Sequence, residues 1–118
     1  MEYMLLIHAD GSKFESLPQE VKSQALAAYG AYTEALTKAG ILRSSNRLRP
    51  GNTATTVRVR DGKTEVLNGP FIETREELGG YFLIDTPDLD TALSWAARCP
   101  GASHGTVEVR PVWDMAAP

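Results

Sequence analysis

EYMLLIHA, residues 2–9, and GYFLID, residues 80–85, are the two stretches that decide the fold. Each reads as a β-strand without the usual polar alternation. In the first, Tyr3, Leu5 and Ile7 fall on one face and Met4, Leu6 and His8 on the other. In the second, Tyr81 and Leu83 oppose Phe82 and Ile84. Strands apolar on both faces need cover on both, which places these two at the centre of a sheet.

Working outward, the segment after the first strand has helical spacing. Val21, Ala25, Ala28, Tyr29, Tyr32, Leu36 and Ala39 form the expected buried stripe. Pro18 suits the first turn, Ser16 is the candidate cap, and Gly40 is the stop. Beyond the second central strand, Thr86-Pro87-Asp88 opens another helix, with Asp88 as its cap. Leu89, Ala92, Leu93, Ala96 and Cys99 make its stripe, and Pro100-Gly101 ends it.

Between the two central strands lie a short extended piece, Ile41 to Leu48, and a loop at Pro50-Gly51-Asn52. Thr53 to Arg60 then alternates cleanly, turns at Asp61-Gly62 and returns through Lys63 to Leu67, a hairpin. Residues 71–78 fit either a loop or one helical turn. Thr106 to Trp113 alternates Val107 and Val109 with Glu108 and Arg110, and Met115 to Pro118 reads as a frayed tail.

The order is strand, helix, strand or hairpin, strand, helix, strand. That predicts an α+β fold, most simply a ferredoxin-like antiparallel sheet with two helices on one face, as one domain over residues 1–118. Two helices cover one face only. The second apolar face is expected against another copy of the chain, giving a homodimer of the dimeric α+β barrel type.

Composition narrows the function. The chain has 118 residues, 42% hydrophobic and 23% charged, enough for one domain with a core. A net charge of −3 argues against a globally basic nucleic-acid binder. No apolar run has the length of a membrane span or the layout of a secretory signal, so a cytoplasmic protein with no membrane partner is expected. One cysteine excludes a disulfide scaffold and a thiolate cluster. Cys99 itself reads as an inert core thiol. Two isolated histidines make no metal site. Gly79-Gly80 precedes a strand rather than a helix, so there is no phosphate loop, and no cofactor is expected. Charge is uneven all the same. Residues 41–63 carry six basic residues and one acidic, a local +5 against −8 elsewhere.

The run NGPFIETREELGGYFLID from Asn68, followed by TPDLDTALSWAARCPG and TVEVRPV, resembles the YCII-related proteins, in particular the branch marked by an Asp-Gly-Pro-Phe motif. YMLLIHAD, AYTEAL and TATTVRVRDGK are similar to that branch as well, so the resemblance covers nearly the whole chain. It implies a dimeric α+β barrel. It also implies one of two roles: an enzyme that uses a histidine and an aspartate, or a regulatory module associated with an extracytoplasmic-function sigma factor. Here the motif's leading aspartate is Asn68, which orients a substrate by hydrogen bonds but cannot act as a general base.

His8 is the first candidate for chemistry, an imidazole where a third aliphatic residue would continue the strand. Asp10 points the same way, either to orient His8 or to make the turn before Gly11. His104, in the loop before the last strand, reads first as a surface histidine; because that strand pairs with the first, it is also a candidate to approach His8 and bind a ligand there. Asn68, Gly69, Pro70, Phe71, Glu73 and Thr74 form the candidate ligand segment, with Phe71 walling a pocket and Glu73 as its carboxylate. Tyr29 and Tyr32 read as core residues whose hydroxyls reach the rim, where Tyr32 would touch a ligand. The expected function is therefore binding or cofactor-independent conversion of a small polar or anionic molecule, with His8 as acid-base group. The alternatives are a sigma-factor interaction module sensitive to Arg58 and Arg60, and a structural dimer with a vestigial cleft.

Overall fold

The computed structural model describes residues 1–116. Along the chain run β1 (Glu2–Ala9), α1 (Gly11–Glu15), α2 (Gln19–Lys38), β2 (Leu42–Arg47), a 3-10 turn (Gly51–Thr53), β3 (Thr55–Arg60), β4 (Lys63–Asn68), β5 (Glu77–Asp85), α3 (Leu89–Arg98), α4 (Gly101–His104) and β6 (Thr106–Pro111). Strands β2, β5, β1 and β6, in that order, form one antiparallel sheet, the ferredoxin-like arrangement. The two strands apolar on both faces are the central pair. The short extended piece supplies the β2 edge, while β3 and β4 form a separate two-stranded ribbon.

Alternation decides which side chains meet the helices. Tyr3, Leu5 and Ile7 of β1 and Phe82 and Ile84 of β5 are buried with Tyr32 and Leu36 of α2 and Ala92, Ala96 and Cys99 beside them. Leu5, Leu36, Ile84 and Ala92 have no exposed surface. Burying each of the larger aliphatic side chains stabilises the fold by about 2 kcal/mol. Tyr32 meets Phe82 edge-to-face at 5.2 Å, the arrangement favoured by aromatic quadrupoles. On the opposite face Met4 is in register with Leu83, and Leu6 with Tyr81. No helix covers these residues, and they remain half exposed.

Caps follow the local chemistry. Asp88 caps α3 by accepting from the Thr91 backbone N–H at 2.8 Å, as expected. Asp61 and Gly62 both take positive φ, 50° and 75°, which the two-residue hairpin turn requires. The structure departs from the sequence reading in five places, the first being α4, a short helix over Gly101–His104 where the sequence predicts a loop carrying His104. Helix α1 is additional, started by Asp10, and five residues without an apolar stripe give no periodic signal. Pro18, not Ser16, occupies the cap position of α2 and makes no side-chain bond there. Val21, Ala28 and Ala39 are exposed, because α2 is about 30 Å long and buries only Tyr32 and Leu36. Leu89 and Leu93 are each 45% exposed, so α3 meets the sheet through small residues instead. Residues 69–76 are an irregular loop rather than a helical turn. Of the expected tail, Met115 and Ala116 form a turn and residues 117 and 118 lie outside the described residues.

Candidate functional site

The last residues of β1 carry the chemistry. A register shift between Ile7 and His8 interrupts pairing with β5, so Ile7 faces Gly80 while His8 faces Leu78. Such bulges re-aim a side chain. His8 stands on the face the helices leave open, with its Nε2 3.4 Å from Glu108 Oε1. Glu108 is in register with Leu6 on the neighbouring β6, and its second oxygen accepts from Arg110. Arg110 first, and His8 after it, hold the Glu108 carboxyl below the usual range. His8 and Glu108 keep 31% and 40% of their side-chain surface, so a ligand has access to both. A neutral imidazole that donates Nε2–H to a carboxylate presents Nδ1 as a base.

Glycine permits the close approach behind this pair. A Cβ on Gly105 would run into the His8 carbonyl oxygen and the Ala9 Cα, so only a residue without one lets β6 start here. His104 precedes that glycine at the end of α4 and is exposed; the bonded partner of His8 is Glu108 rather than His104.

The loop after β4 builds a second feature beside the His8 end of the sheet. Gly69, at φ 104°, donates its N–H to the Ala54 carbonyl at 2.7 Å, and its own carbonyl accepts from Thr56 Oγ1 at 2.8 Å. Glu77, in register with Ala9, accepts from the Gly51 N–H at 3.1 Å. Glu76 accepts from Thr106 Oγ1 at 2.8 Å, and Thr106 is the register partner of His8. These ties shape an open groove of about 460 Å³ lined by Asn52, Asn68, Gly69, Pro70, Glu73, Thr74 and Glu77. Its walls are amide, hydroxyl and carboxylate groups, suited to a polar ligand.

The structure thus brings Asn68, Gly69, Pro70, Glu73 and Thr74 together and leaves the other candidates elsewhere. Phe71 is 67% exposed beneath Arg58, whose guanidinium lies 5.1 Å from the ring centroid, and does not wall the groove. Asp10 spends its carboxylate on capping α1, accepting from Ser12 Oγ at 2.6 Å and the Ser12 N–H at 3.0 Å. The Ser12 bonds pull its pKa down, and neither reaches His8. Tyr32 is 5% exposed in the helix-facing core, and its hydroxyl donates to the Trp95 carbonyl at 2.7 Å. Burial pushes the Tyr29 hydroxyl to about 12, with Cys99 adding to the shift, and it too belongs to the core side. Glu108, Asn52 and Glu77 are the residues that sequence reasoning missed. Glu108 had a signal: in this topology its alternation puts it on the open face beside His8. Among the described residues, no group of three or more acidic, His or Cys side chains is placed to hold a metal ion.

The model of the YCII-related domain matches residues 1–116. The chain belongs to the YCII-related family. An uncharacterised protein of Rhizobium meliloti (strain 1021) is 37% identical over 114 residues, 95% of this chain and 92% of that one. Among solved structures, the 5-chloro-2-hydroxyhydroquinone dehydrochlorinase of Burkholderia phenoliruptrix AC1100, in complex with 2,5-dihydroxybenzoquinone, superimposes with a TM-score of 0.55. At 14% identity over 97% of this chain and 94% of that chain, the likeness is one of fold. Among the described residues of this YCII-related chain, no helix is long and apolar enough to cross a membrane.

Proposed function

We propose that this YCII-related chain binds, and converts without a redox cofactor, a small polar or anionic molecule held at the His8 end of its sheet. The observation that carries the reading is the His8–Glu108 contact on the open face, a titratable base with a charged partner and solvent access. His8 acts as acid-base group, Glu108 orients its ring, and in the adjoining groove the Asn68 amide donates to ligand oxygens while the Glu73 carboxylate accepts from ligand hydroxyls. A second copy closes the open face in a dimeric α+β barrel. The reduced, buried Cys99 suits a cytoplasmic setting. Hydroxylated quinones are the first ligands to test, because the dehydrochlorinase of similar fold was solved with one.

The test is a thermal-shift screen of small hydroxylated quinones and carboxylates on the wild type and on His8→Ala and Glu108→Gln. Stabilisation of the wild type that disappears in His8→Ala supports the site; equal stabilisation of both overturns it. The sigma-factor reading draws on the exposed Arg58 and Arg60 of the ribbon. It predicts co-purification with a sigma factor that survives His8→Ala and is lost in Arg58→Ser/Arg60→Ser.

A further inference from the structure

The β3–β4 ribbon packs against nothing that explains its stability. Every residue of β4, and every residue of β3 but Thr56, is exposed. Val57 and Val66 pair across the ribbon, and with Val59 on the same face they are 59%, 60% and 67% exposed. An isolated two-stranded ribbon is at best marginally stable in water, and the three valines give this one an apolar face that a partner surface would cover.

The overall shape raises the same question and bounds the answer. The molecule is a slab of 47 × 47 × 17 Å with a radius of gyration of 16.4 Å, where a compact chain of this length has about 13.5 Å. Its accessible surface is 8327 Å², against about 6,300 Å² for a compact monomer of the same mass. The excess of about 2,000 Å² per chain is the area each subunit of an obligate homodimer buries. Charge does not oppose such a contact. The ribbon, residues 55–68, carries Arg58, Arg60 and Lys63 against Asp61 and Glu65, a net +1, and the remainder of the same chain carries −4.

We infer that β3–β4 is a dimerisation arm whose valine face lies on a second copy of this chain, the two arms exchanged about a two-fold axis. In an isologous pair each arm finds on its partner the surface its own subunit offers in return, so the contact closes at two. The inference shares with the proposed function only the presence of a second copy. It does not depend on His8.

Two measurements on the full chain test it. Sedimentation across a concentration series should give a dimer whose Kd weakens at least 100-fold in Val57→Asp/Val59→Asp, while Arg60→Ser, on the other face, stays within threefold. Hydrogen exchange of the wild type guards against a variant that simply unfolds. Amides of β3 and β4 should exchange at least 100-fold more slowly than an unstructured chain. A dimer whose arm exchanges within tenfold of that rate overturns the arm and leaves the sheet-face dimer standing. A monomer overturns both and frees the ribbon for a different protein.

Discussion

His8 Nε2 and Glu108 Oε1, a hundred residues apart in sequence, stand 3.4 Å from one another on the open face of the sheet. The pairing of β1 with β6 makes the meeting possible, and Arg110 on the far side of the carboxylate sets its charge. Three groups on two adjacent strands thus form one electrostatic unit.

The first prediction concerns that unit. Arg110 contributes more than His8 to the lowered pKa of Glu108. Carboxylate titration by NMR should show Glu108 rising toward its ordinary value of 4.5 in Arg110→Ala, and by less in His8→Ala. The sign for stability follows from the depressed folded value. The contribution is present above the unfolded pKa and is lost as pH falls through the folded one. Thermal stability should therefore decline on acidification below about pH 4.5, less steeply in Arg110→Ala than in the wild type. A steeper decline in the variant would contradict this.

Gly105 provides the second. Its backbone is pressed against the His8 carbonyl, so Gly105→Ala must push β6 away from β1 at the candidate site. Overpacking of this kind costs about 1–3 kcal/mol, a fall of several degrees in melting temperature. Any ligand response that depends on the spacing of His8 and Glu108 should weaken with it. An unchanged melting curve would show that the strands tolerate a Cβ there.

Cys99 supports the third. It is 1% exposed on the sheet side of α3, and burial raises its thiol pKa. A thiol reagent at pH 8 should label the native protein at the rate of unfolding and the denatured chain at once. Rapid labelling of folded protein would mean that α3 opens on its own.

Much of this was readable in advance, for reasons that differ by element. β1 and β5 declared themselves central because Met4, Leu6, Tyr81 and Leu83 have no reason to be apolar on an edge strand. Asp88 and Asp61-Gly62 were legible because caps and tight turns depend on near neighbours alone. α1 was hidden because Asp10 serves a helix too short for any period. Phe71 was misplaced for a similar reason: a loop gives no rule for which way a ring points, and Arg58 on the ribbon decided it. Glu108 needed the strand order first and the alternation second. Local chemistry is written in the chain, whereas which charged side chain meets His8 is a property of register.

Tyr32 supplies the last prediction, because its place reverses a sequence expectation in a measurable way. At the end of α3 the Cys99 N–H donates to the Ala96 carbonyl at 3.1 Å, so the Trp95 carbonyl does not receive it. The Tyr32 hydroxyl donates instead, at 2.7 Å, capping α3 from the neighbouring helix. Burial raises the Tyr32 pKa, so this donor keeps its proton throughout the ordinary pH range. Tyr32→Phe removes the donor without changing the packing of the ring on Phe82. The cost should be about 1–2 kcal/mol, that of a half-buried carbonyl left unpaired. A residue that touched the ligand would behave differently: the variant would keep its stability and lose the thermal shift. The structure predicts the opposite pair of results, a lower melting temperature in the free protein and an undiminished increment on adding ligand. Tyr32 sits on the helix side of the sheet and His8 on the open side, so stability and binding separate here.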